Sequence, residues 1–171
     1  MNTRLSILTA VSDPRALYAL GTVLVLLILL GLVRWWRNRS DNDPLPARDP
    51  KCIWHSEVIA VERVYDGDTF FAHVKGHKPL DGKAVGVRLR GIDTPEIKDR
   101  RPAVKKKAEA ARAYLEAELR QAKKIHLYNV SMNDKYGRML ATVFCDRKDV
   151  ARRMLKKRLA KPYDGGTKKA W

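Results

Sequence analysis

Hydrophobic and polar positions follow three different rhythms along the chain. From Ala16 to Val33 there is no rhythm at all: ALYALGTVLVLLILLGLV contains no charged residue. At about 1.5 Å per residue, roughly 18 residues span about 27 Å as a helix, close to the hydrocarbon thickness of a bilayer. A buried core helix keeps a polar face, and this run has none. Arg34, Trp35, Trp36 and Arg37 follow at once, and indole rings and Arg stems suit a membrane interface. The run is longer than the apolar region of a signal peptide and no small-residue cleavage pattern follows it. The pattern predicts one uncleaved transmembrane helix over 16–36, behind a tail at 1–15. Ser40 to Pro50, SDNDPLPARDP, has three prolines among Asp and Asn residues and reads as part of an extended linker over 37–51.

Beyond it the rhythm alternates. Ser56 to Val64 (SEVIAVERV) switches between apolar and charged residues as a half-buried strand should. Asp66-Gly67 reads as a turn, Thr69 to Val74 as the partner strand, and Val85 to Ile92 (VGVRLRGI) as a third strand. After Pro102, which suits a first helical turn, the spacing changes again. Val104, Ala108, Ala111, Leu115, Leu119 and Ala122 recur at helical intervals, with Lys, Glu and Arg on the other faces. Ile125 to Val130 and Met139 to Phe144 read as short strands, and Asp149 to Leu159 as a helix. Three strands, a helix, two strands and a helix make an α+β domain over 52–171. Locally joined first strands favour an antiparallel meander, and a helix between strands three and four matches a five-stranded OB-type β-barrel with capping helices.

Charge narrows the class. The 171 residues carry 35 Lys and Arg against 19 Asp and Glu, a formal +16. The first 50 residues hold six basic and four acidic residues, so +14 falls on the remaining 121. A domain this basic meets a polyanion, either nucleic acid or an acidic membrane surface. Two Cys exclude a disulfide-stapled scaffold and a Cys-rich zinc module. Cys52 and Cys145 form a disulfide only if the domain faces an oxidising compartment and their Cα atoms come within reach. His73 and His77 are four apart beside Gly76, outside any helix that would align them, so zinc is disfavoured.

Three short segments carry candidate chemistry. Asp66-Gly67-Asp68-Thr69 sets two carboxylates around a glycine, which either shapes a turn or holds a hard cation. Arg88-Leu89-Arg90-Gly91-Ile92-Asp93-Thr94-Pro95-Glu96 puts Arg88, Arg90 and Ile92 on one strand face, with two acids at the strand end. Asp134-Lys135-Tyr136-Gly137-Arg138 is either a hairpin turn or a rigid turn that delivers a guanidinium to a phosphate.

VYDGDTF, VRLRGIDTPE, DKYGRMLATVF and the closing LAKPYDGG before Trp171 resemble, in order and spacing, the staphylococcal nuclease or thermonuclease-like domain family. The resemblance runs from about Ser56 to Trp171. It implies an OB-type barrel and a Ca²⁺-dependent nuclease that cuts DNA, RNA or both with little sequence preference. It implies that Asp68, Asp93 and the main-chain carbonyl of Thr94 bind Ca²⁺, with Asp66 behind them on a metal water. Glu96 would activate the attacking water, and Arg88 and Arg138 would clamp the scissile phosphate. Lys135, Tyr136 and Tyr163 would contact the nucleotide. No obligate protein partner is implied. The loop after Glu96 is shorter than in the namesake enzyme, Arg158 stands where a glycine commonly ends the second helix, and the namesake's third helix is missing or very short. The rival reading is a non-catalytic, membrane-tethered OB-fold module that binds nucleic acid or protein.

Localisation is expected at a membrane, single-pass through the N-terminal helix. Arg34, Arg37, Arg39, Arg48 and Lys51 after the span outnumber Arg4 and Arg15 before it, which favours the cytoplasm for the domain. Promiscuous Ca²⁺-dependent cleavage of nucleic acid favours the outer side, so the two arguments oppose one another.

Overall fold

The computed structural model describes residues 14–40, 42–77, 83–132, 137–168 and 170–171. The chain divides into two units, Met1–Asn42 and Asp43–Trp171. In the first, α1 (Pro14–Ser40) is a 27-residue helix whose side chains are described from 20 to 33. All of those side chains are exposed, Leu20 at 68% and Leu30 at 65%. Among the described residues no helix is long and apolar enough to cross a membrane. The span expected at 16–36 extends past those side chains at both ends.

The second unit is α+β, a mixed barrel of five principal strands with two helices. Strands β1 (Ile53–Asp66), β2 (Thr69–Val74) and β3 (Val85–Leu89) form the expected antiparallel meander. β5 (Ile125–Ser131) pairs with the start of β1, and β6 (Met139–Cys145) with β5, both antiparallel. A parallel seam between β3 and β6 (Val87 opposite Met139, Leu89 opposite Ala141) completes the sheet circuit, which leaves few free edges. Two-residue strands β4 (Ile92–Asp93) and β8 (Lys161–Pro162) pair with each other, and β7 (Lys148–Asp149) pairs with β6.

The helical spacing after Pro102 produces α2 (Pro102–Gln121), which buries Val104, Ala108, Ala111, Leu115 and Leu119. Ala111 and Leu115 join a core with Phe70, Val87, Leu89 and Leu127, all at most 1% exposed. From α3 (Val150–Lys156), Val150 and Met154 join the same core. Asp149 caps α3, its carboxylate accepting from the Arg152 amide at 3.1 Å.

Three local expectations are amended. β1 begins at Ile53 rather than Ser56, because Ile53 and His55 already pair with Val130 and Tyr128. The alternation of VRLRGI stops at Leu89: Gly91 takes φ +84°, the chain turns, and Ile92 joins the same core as Leu89 instead of sharing a face with Arg88 and Arg90. α3 ends at Lys156 rather than Leu159. Its Arg158 amide donates to the Leu155 carbonyl and its Leu159 amide to the Met154 carbonyl, each at 3.0 Å, with Arg158 at φ +58°. This is a left-handed helix stop that glycine usually fills.

Residues 43–50 lie in the barrel unit and are fastened to it. Buried Asn129 donates to the Ala47 carbonyl at 2.7 Å and accepts from the Asp49 amide at 3.0 Å. Asp43 pairs with Arg152 at 3.1 Å. Cys52 and Cys145 are free thiols. Burial first, then the Glu118 and Asp146 charges, pushes Cys145 up to about 12, so it is an inert part of the core.

Candidate functional site

The tight turn from β1 to β2 brings two acids inside. Gly67 is obligatory there: a Cβ on it would lie 2.7 Å from the Ala111 Cβ and 3.0 Å from the Thr94 Cβ. The turn is thus pressed between α2 and the segment after β4. Asp66 accepts from the Asp68 amide at 3.2 Å. The Asp68 carboxylate accepts from the Thr69 hydroxyl at 3.0 Å and the Thr94 amide at 3.1 Å. One turn thereby links three of the residues singled out in the sequence.

Register supplies the next. Arg88 stands opposite Thr69 across β2 and β3. Its guanidinium bonds Asp68 through Nη1, and through Nη2 reaches Asp93 at 3.3 Å and the Ile92 carbonyl at 3.4 Å. Arg138 enters from the start of β6, after Gly137 at φ +73°, and donates to the Thr69 hydroxyl at 3.2 Å. Its stem runs over Gly86, where a Cβ would lie 3.0 Å from the Arg138 Cγ. A chain of hydrogen bonds thus runs from Arg138 through the Thr69 hydroxyl to Asp68 and on to Arg88.

Asp66, Asp68, Asp93 and Arg88 are all buried. Three carboxylates stand against one guanidinium and the Lys168 ammonium on Asp93, which leaves the set one positive charge short when all are ionised. Burial pushes the Asp68 carboxyl up to about 7, Asp66 adds to the rise, and Arg88 opposes it. Among the described residues no group of three or more His, Cys, Asp or Glu side chains converges as a metal site, and the Asp68 and Asp93 carboxylates turn to Arg88; buried carboxylates beside main-chain carbonyls are nevertheless the oxygen chemistry that a hard divalent cation takes.

Glu96 is exposed beside this cluster and takes an ion pair from Lys168 at 2.9 Å. Lys168 also reaches Asp93 at 2.8 Å, and Trp171 Nε1 donates to the other Asp93 oxygen at 3.2 Å. Desolvation works to lower the Lys168 ammonium, but its bonds to Asp93 and Glu96 outweigh that and hold it above the ordinary lysine range. Tyr163 lines a cleft of about 330 Å³ with Gly91, Asp93 and Lys161, and its hydroxyl donates to the Gly166 carbonyl at 3.1 Å. A second cleft of similar size, bounded by Arg63, Tyr65, Asp66, Glu96, Lys98 and Arg112, opens on the other side of Glu96.

The structure thus brings together Asp66, Asp68, Arg88, Asp93, Thr94, Glu96 and Arg138, with Tyr163 beside Asp93. Lys135 and Tyr136 lie outside the described residues. Lys168 and Gly86 were not foreseen. One more lysine among 35 basic residues has no distinguishing pattern, and a glycine in an alternating strand does not reveal which side chain crosses it.

Residues 86–170 match the family model described as staphylococcal nuclease homologue. Endonuclease YncB of Bacillus subtilis (strain 168) is 34% identical over 115 residues, 64% of this chain and 51% of that protein. The thermonuclease of Staphylococcus intermedius is 35% identical over 88 residues, 52% of this chain and 49% of that protein. The thermonuclease of Staphylococcus hyicus is 29% identical over 107 residues, 63% of this chain and 60% of that protein. The chain spans about half the length of the first two relatives.

Proposed function

The chain belongs to the staphylococcal nuclease (SNase/TNase-like) domain family, and from that premise we propose that it is a membrane-anchored, Ca²⁺-dependent nuclease. It hydrolyses phosphodiester bonds of DNA, RNA or both, with little sequence preference. The observation that carries this reading is the buried Asp68–Arg88–Asp93 cluster, with Arg138 reaching it through Thr69.

Attack on a phosphodiester builds negative charge on the non-bridging oxygens. Arg138 and Arg88 would bond those oxygens, Arg88 sharing its Nη groups between the phosphate and its Asp68 and Asp93 partners. Asp68, Asp93 and the Thr94 carbonyl would hold the divalent cation, which would supply positive charge beside the phosphate oxygens. Glu96, exposed at the edge of the cluster, orients and deprotonates a water for in-line attack. Asp66 fixes the turn that carries Asp68. Tyr163, and Lys135 and Tyr136 in the turn before Arg138, contact the nucleotide. An open site of this kind suits single-stranded or frayed substrate, whose bases and backbone lie within reach.

The assay is incubation of the full-length protein with labelled single-stranded DNA and RNA, with Ca²⁺ or with chelator. Cleavage appears only with Ca²⁺, and Arg138→Ala lowers kcat by roughly 10²- to 10³-fold while the melting temperature holds. Tight, salt-sensitive binding without cleavage at any Ca²⁺ concentration would overturn the reading in favour of the binding module. Arg138 is the cleaner probe, because Arg88→Ala also leaves two buried carboxylates without their partner.

The anchor is α1. Leu, Val and Ile side chains from Leu20 to Val33 are all more than half exposed, all round the helix, and Ala16 to Tyr18 lengthen the uncharged run. A helix whose described side chains show no polar face suits lipid.

A further inference from the structure

Both oxygens of Asp93, and one of Glu96, are held by a single short stretch of chain. After β8, Gly165 and Gly166 take φ +104° and +88°, conformations that let the backbone double back. Lys168 then sets its ammonium between Asp93 at 2.8 Å and Glu96 at 2.9 Å. Trp171 donates its indole N–H to the second Asp93 oxygen at 3.2 Å. Arg101 holds the Trp171 carbonyl at 2.8 Å, and the Lys161 ammonium lies 4.4 Å from the centre of the indole ring.

Arg88 and Lys168, the two cations on Asp93, differ in kind. Arg88 comes from a barrel strand and its side chain is 11% exposed. The Lys168 side chain is 47% exposed and sits on a long flexible stem after two glycines. The first is fixed and the second can leave.

Resting on the nuclease reading above, we infer that Lys168 is an internal counter-cation that competes with the divalent metal for Asp93 and Glu96. Without metal its single charge is shared between these two carboxylates, and Trp171 bonds the second Asp93 oxygen. For Asp93 to bind a divalent ion and Glu96 to bind water, the ammonium has to withdraw. Metal affinity is therefore set partly by the cost of releasing this segment, and metal binding frees it. Lys168 acts through Asp93 and Glu96, so it is a positioning residue, not a catalytic one.

The test is Ca²⁺ titration of the full-length protein in detergent by calorimetry, with hydrogen exchange over 163–168 as a second readout that needs no variant. Lys168→Met, which keeps the stem and removes the charge, should bind Ca²⁺ about tenfold tighter, equivalent to about 1.4 kcal/mol. Lys168→Arg, which keeps the charge, should stay near wild type. In the wild type, Ca²⁺ should speed amide exchange in this stretch. In Lys168→Met, exchange should already be fast without Ca²⁺. Unchanged or weaker Ca²⁺ binding by Lys168→Met, or a stretch equally protected with and without Ca²⁺, overturns the inference. If the wild type binds and cleaves normally under that outcome, this inference falls alone. If the wild type neither binds Ca²⁺ nor cleaves, the nuclease reading falls and takes this inference with it.

Discussion

Arg138 depends on a residue that touches no substrate. Its stem crosses Gly86 so closely that one added methyl would lie 3.0 Å from the Arg138 Cγ. Gly86 has no left-handed φ, so its smallness rather than its backbone freedom is what the position uses. Gly86→Ala should leave β3 paired and the fold intact, because Ala is sterically allowed in a strand. The guanidinium should instead shift off its line to Thr69. A displacement of about 1 Å in a phosphate-binding group can cost up to about 10²-fold in rate. The expected result is a roughly 10- to 100-fold fall in kcat with little change in melting temperature. A variant with wild-type kcat would show that Arg138 reaches its working position by another path.

Whole elements were legible wherever a periodicity ran long enough to declare itself. β2 was bounded correctly from six residues because Asp66-Gly67 marks its start and the alternation marks its body. α2 was readable from five buried positions at intervals of three and four. β7 and β8 were not, since two residues have no period. The end of β3 was misread because Gly91 breaks the alternation without interrupting the apolar pattern. The acids and arginines that the fold gathers were singled out through their motifs, whereas Lys168 was not, because its partners are 72 and 75 residues away and only the fold brings them near. The end of α3 is the element whose sequence and backbone disagree. Arg158 occupies a left-handed helix stop at φ +58°, where an L side chain is strained. Arg158→Gly should relieve that strain and stabilise the domain by about 1 kcal/mol, raising the denaturant midpoint without altering its slope. An unchanged or lowered midpoint would mean that the Arg158 side chain makes compensating contacts.

At the scale of the whole molecule, two features would bring this chain to a membrane on the reading proposed above, and they differ in physics. One is the apolar helix α1. The other is the charge of +14 on residues 51–171, which is drawn to anionic lipid as readily as to nucleic acid. The core of the barrel unit draws on residues from Val64 to Ala160, so that unit has a core of its own. A chain starting at Asp43 is therefore a fair comparison. Insertion through α1 is driven by apolar burial and is indifferent to ionic strength, whereas surface attraction fades once the Debye length falls to about 3 Å near 1 M salt. The full chain should sediment with membranes, stay there through high salt and alkaline carbonate, and leave only with detergent. The chain from Asp43 should be released by salt alone. Release of the full chain by salt would show that charge, and not the helix, is the tether. A phosphatase fused after Ser40 then reports the side on which the barrel lies: activity means the outer side, where Ca²⁺ is plentiful, and silence means the cytoplasm, where the distribution of Arg and Lys points.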